Sequence, residues 1–152
     1  MANGVYNIGK LRVANDSIAS DALRLMLVST GYVFDADHHQ VDTGAASPKA
    51  FEISVGNYSR QSLAGLATFE DDTNDFAGLD ANDVTFSALA AGATIGGAVL
   101  YRYSSSGGTT GDSGQDLISF YDVTDTPTNG GDITIQWAST SAGGVLKFGT
   151  TS

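Results

Sequence analysis

The sequence predicts an all-β fold, a single β-sandwich or jelly-roll-like domain of about nine short strands. Three observations lead there. Apolar and polar residues alternate at period two in the clearest segments. The acidic residues are fifteen aspartates and two glutamates, and aspartate competes for backbone hydrogen bonds, which favours turns over helix interiors. Nineteen glycines stand against two prolines, a balance that supplies turns while leaving strand ladders intact. With 152 residues and no cysteine, the chain is long enough for one domain whose core needs no disulfide staple.

Taken in order, residues 1–20 read as an N-terminal strand (at 10–13) or an extended arm, and residues 21–152 as the sandwich domain. Residues 22–29, ALRLMLVS, set Leu23, Leu25 and Leu27 against Arg24 and Met26, a strand pattern. Tyr32, Val33 and Phe34 lead into the polar loop DADHHQVDTGAASPKA. Residues 51–55 and 58–69 read as the next strands, with Gly56 and Asn57 as a two-residue turn between them. Residues 76–79 and 84–87 are short strands around an Asp-rich turn. Residues 95–103, IGGAVLYRY, form a buried strand whose paired glycines mark a bulge or a close backbone approach. Residues 104–116 are a Ser/Gly-rich loop on the surface. Residues 117–123 and 133–137 flank DTPTNGGD as a hairpin, and 144–148 close the chain as a last strand. The alternation places Leu23, Leu25, Leu27, Val84, Phe86, Leu100, Ile118, Ile133, Ile135 and Trp137 in the core.

Charge and motifs narrow the function. The net charge of −10 repels phosphate backbones, and seven scattered basic residues form no stripe, so nucleic acid is not an expected partner. The start of the chain lacks the apolar stretch of a secretory signal, and no apolar run approaches the ~20 residues of a membrane helix. A protein made in a host cytoplasm, without a membrane partner, is expected. Catalytic, cofactor and metal residues are all expected to be none. G-x-S-x-G and the nucleotide-binding glycine motifs are missing from the sequence. His38 and His39 are adjacent, so in an extended segment they face opposite ways and one metal rarely takes both. Asp71, Asp72, Asp75, Asp80 and Asp83 are the best candidates for a hard cation. The EF-hand template fails there, because no glycine stands sixth and Asn82 stands twelfth. The same aspartates serve equally as turn formers. Trp137, Tyr101 and Tyr103 are expected to pack in the core or across strands rather than to line a ligand face.

Several stretches resemble a family of small structural proteins of tailed bacteriophage particles. They are NIGKLRV, LRLMLVSTGYVFDADHH, YSRQSLAG, EDDTNDFAGLDANDVTFSAL, IGGAVLYRY and TNGGDITIQW, which together span most of the chain. EDDTND followed by DANDVTFSAL is the most specific of these. The resemblance implies a virion structural protein without catalytic residues, most simply a capsid decoration (cement) protein on the capsid exterior. Its partners would be the major capsid protein and further copies of itself, as a homo-oligomer and a trimer before a dimer. The alternatives it leaves are a tail, neck or fibre-associated virion protein and, from another class, a carbohydrate-binding adhesion module.

Overall fold

The computed structural model describes residues 3–14, 18, 22–103 and 111–149. Ten strands and one α-helix are found there: β1 Gly4–Val5, α1 Asn7–Ala14, β2 Ala22–Ser29, β3 Gln61–Ser62, β4 Ala67–Asp71, β5 Phe76–Asp80, β6 Val84–Phe86, β7 Thr94–Tyr103, β8 Leu117–Pro127, β9 Ile133–Ile135 and β10 Leu146–Gly149. The all-β prediction holds. A five-stranded sheet (β1-β8-β7-β2-β3) faces a three-stranded sheet (β10-β5-β4) and a two-stranded one (β6-β9), with every pairing antiparallel.

Between these layers lies the main core. Leu23, Leu25, Leu27, Leu100 and Ile118 of the large sheet meet Leu79, Val84, Phe86, Ile135 and Leu146 of the small ones. Ile133 and Trp137 pack at its margin, half-buried. A second core covers the other face of the large sheet, where Met26, Val28, Val99, Tyr101, Leu117 and Phe120 lie under Tyr6, Tyr32 and Val41. Strands β2 and β7 are therefore buried on both faces, and Met26 is as inaccessible as its leucine neighbours. Tyr101 is fully buried, and Tyr103 lies under the Arg24 guanidinium at 3.6 Å, both by packing as expected.

The glycine pair in β7 does what its position suggested. The β7–β8 register shifts between Ile95 and Gly97, and a Cβ on Gly96 would meet the Thr30 backbone at 2.6 Å. The Gly56–Asn57 turn is also present, with Tyr58 N–H donating to the Val55 carbonyl and Asn57 at φ 65°.

Four expectations are corrected. Residues 10–13 are helical, not a strand or an extended arm, and the N-terminal strand is the earlier pair Gly4–Val5. Leu11 and Val13 are spaced like strand residues, but the helix turns Val13 inward and leaves Leu11 53% exposed. Residues 51–55 supply only an isolated bridge from Glu52 to Val28, because Pro48–Phe51 is a 3-10 turn. The 58–69 strand is broken at Gly65, φ 68°, where the chain leaves the large sheet at β3 and enters the three-stranded one at β4. Finally, TNGGD does not close a hairpin, since β8 and β9 belong to different sheets. Its backbone instead docks on the segment after β6: Gly130 N–H donates to the Leu89 carbonyl, and Leu89 N–H to the Gly131 carbonyl. Of the predicted loop 104–116, residues 104–110 lie outside the described residues. The remainder holds a short 3-10 turn, Asp112–Gly114, and a bridge from Asp116 to Gln40.

Candidate functional site

Three constellations carry polar chemistry. The first is a charged clasp at one flank of β2. Arg60, just before β3, donates to both oxygens of Glu52 at 2.7 Å and to both oxygens of Asp112 at 2.6 and 3.0 Å. Lys49 adds a 2.7 Å bond to Glu52 and an ion pair of 3.4 Å with Asp112, while Tyr58 donates to Glu52 at 2.9 Å. The guanidinium lies 5.3 Å from the centre of the Tyr101 ring. Burial alone would push the Glu52 carboxyl up, yet Arg60, Lys49 and Tyr58 together hold it below its ordinary value. Arg60 likewise holds Asp112 low, against a smaller opposing effect of burial. Two anions and two cations neutralise one another, an arrangement suited to fastening segments rather than to proton transfer.

The second is a cleft of 420 Å³ between β8, the N-terminal strand and residues 142–147, which lead into β10. Trp137 and Tyr121 line it, their ring centroids 5.1 Å apart in an edge-on contact. Both polar ends are engaged. Trp137 Nε1–H donates to the Asn82 carbonyl at 2.9 Å, and the Tyr121 hydroxyl donates to the Val145 carbonyl at 2.8 Å. Burial raises the Tyr121 phenol above its usual value. The sequence marked Trp137 as a packing residue, and it is one, but it also borders this cleft.

The third is the aspartate set. Asp71, Asp72 and Asp75 lie at the β4–β5 turn, whereas Asp80 ends β5 and Asp83 follows it. Five residues of strand separate the two groups by roughly 15 Å, so one cation cannot gather all five. Asp71 accepts the backbone N–H groups of Thr73 and Asn74 and the Asn74 side-chain amide, each at 3.0 Å. The Asn74 amide leads in holding its carboxyl low. Asp83 accepts Trp137 N–H. Among the described residues no three His, Asp or Glu side chains are grouped to hold a metal.

The histidines part company, as their adjacency predicted. His38 turns toward Tyr32 and Asp35, and His39 is exposed. Sequence reasoning missed the clasp and the cluster around His38, because their members lie far apart in the chain, Arg60 and Asp112 by 52 positions and Tyr6 and Tyr32 by 26, and no local pattern joins them. Among the described residues no helix is long and apolar enough to cross a membrane. No family model, curated protein or solved structure matches this chain.

Proposed function

We propose that the chain is a structural subunit of a tailed-phage particle, bound to the outside of the capsid as a decoration protein. The observation that carries this reading is where its carboxylates go. Glu52 and Asp112 are spent on the clasp, and Asp35, Asp42, Asp71, Asp83 and Asp132 each accept a backbone N–H. Acidic groups used in this way stiffen loops and leave an anionic, soluble exterior. The stretches that carry the phage resemblance include several of these turns, EDDTND at the β4–β5 tip and TNGGD on Leu89. A closed oligomer at local three-fold points, bound in many copies, would cement neighbouring capsid subunits with modest affinity per copy.

Particles made without the protein should assemble yet open at lower temperature, and purified protein added back should restore them by mass action. Particles that keep their heat resistance but no longer attach to cells would move the assignment to the tail or to host adhesion. The cleft beside Trp137 favours a second reading, a carbohydrate-binding adhesion module. Since Trp137 is the only tryptophan, its emission on titration with neutral oligosaccharides reports directly on that cleft, and an unchanged spectrum rejects the reading.

A further inference from the structure

A row of side chains in the second core runs from the interior to the surface. Tyr6, fully buried just before α1, meets the Tyr32 hydroxyl at 2.7 Å. The Tyr32 hydroxyl lies 3.4 Å from Nδ1 of His38, and Nε2 of His38 lies 4.0 Å from the Asp35 carboxylate. Tyr32 is also buried, whereas the His38 side chain is 16% exposed and Asp35 58%.

The row has a direction. Among the described residues the Tyr6 hydroxyl meets no acceptor but the Tyr32 oxygen, so it donates there and the Tyr32 hydrogen turns toward Nδ1 of His38. With His38 neutral and its proton on Nε2, every hydroxyl hydrogen has an acceptor. Burial raises both phenols above their ordinary range, so neither gives up its proton readily, and the imidazole nitrogen is the row's proton acceptor. Protonation makes Nδ1 a donor. Tyr32 must then point its hydrogen at Tyr6, and among the described residues the Tyr6 hydroxyl has no acceptor besides Tyr32. Its hydrogen is left in an aromatic pocket, with the Phe34 ring 4.9 Å away.

We propose that His38 is a pH-sensitive latch on the N-terminal segment: its protonation reverses this row, strands the Tyr6 hydroxyl and loosens β1 and α1 from β8. The segment is held by Tyr6 N–H on the Ile118 carbonyl, by Asn7 N–H on the Ala36 carbonyl, by the β1–β8 pairing and by Asp122 N–H on the Asn3 side-chain oxygen. Of the charged groups around His38, the Asp35 carboxylate at 4.0 Å is largely exposed and screened by solvent. Asp37 accepts the Asn7 side-chain amide at 2.7 Å, and Lys10 of α1 donates to Oδ1 of Asn7 at 3.2 Å. The segment beside residues 39–42 brings Asp112, held by Arg60, and Asp116, opposite Gln40.

The test is amide hydrogen exchange on the intact chain, as protection factors corrected for intrinsic rates. Between about pH 7.5 and 5, protection at residues 6–10 should fall about tenfold, while β2 and β7 stay protected. Tyr6→Phe removes the hydroxyl that would be stranded, and His38→Gln keeps an acceptor for Tyr32 that never titrates. Both variants should give flat profiles, with β2 and β7 protection confirming that they fold. A flat wild-type profile, or a variant profile that falls as the wild type does, overturns the latch.

Discussion

Arg60 and Asp112 stand 52 positions apart in the chain and meet through two hydrogen bonds of 2.6 and 3.0 Å. The same guanidinium grips Glu52, so one side chain ties the turn after Pro48, the approach to β3 and the entry to β8. Arg60→Ala would leave two largely buried carboxylates without their fork. The expected loss is about 3 kcal/mol of unfolding free energy, measured by urea titration. Arg60→Lys should recover only part of it, because an ammonium cannot fork to two carboxylates. Wild-type stability in Arg60→Ala would mean that the clasp contributes nothing.

The clasp also fixes a pH dependence. Glu52 and Asp112 both have folded values below their unfolded ones. Their contribution is therefore complete above the ordinary carboxylate range and is lost as pH falls through the lower folded values. Stability differences between wild type and Arg60→Ala should be constant from neutrality to about pH 5 and shrink below about pH 4. A difference that grows in acid would contradict the assignment.

The two glycines of β7 are separable by what their added methyl would strike. On Gly97 it would strike the Phe120 ring, and on Gly96 it would meet the Thr30 backbone at 2.6 Å. An aromatic ring can tilt, whereas backbone held in the turn after β2 cannot easily retreat. Gly97→Ala should cost about 1–3 kcal/mol, and Gly96→Ala at least as much. Thermal unfolding of the two variants beside wild type decides the order.

The strands were legible where one rule governed them. Leu23, Leu25 and Leu27 alternate, and all three are buried as that alternation requires. Met26 was not legible as core, because period two assigns it to the opposite face and nothing local reveals that Tyr6, Tyr32 and Val41 cover that face. Residues 58–69 looked like one strand because no proline, asparagine or aspartate interrupts them. A single left-handed glycine, Gly65, hands the chain from one sheet to another, and composition does not register a change of partner. TNGGD was correctly read as a turn, but its ends are set by Leu89, some forty positions away, so the hairpin inference failed at the tertiary level. The polar clusters were invisible for the same reason: Glu52, Arg60 and Asp112 come together only through the sheet order.

Ala88 offers the cleanest stabilising change. It sits at φ 50°, in the left-handed region, without being glycine. The conformation is held from both sides, since Ala88 N–H donates to the Asp132 carboxylate at 2.8 Å and its carbonyl accepts the Asn57 side-chain amide at 3.0 Å. A Cβ in this region crowds its own backbone, at a cost of roughly 1–2 kcal/mol. The Ala88 side chain is exposed, so removing its methyl forfeits little burial. Glycine relieves the crowding but widens the unfolded ensemble, which returns about 0.4–1 kcal/mol to the other side. Ala88→Gly should therefore gain about 0.5–1 kcal/mol, seen as a rise in the urea midpoint at unchanged slope. In Asp132→Ala the N–H of residue 88 loses its acceptor, and that variant should fall below wild type by about 1 kcal/mol. A destabilised Ala88→Gly together with a neutral Asp132→Ala would show that the turn does not hold residue 88 in this conformation in solution.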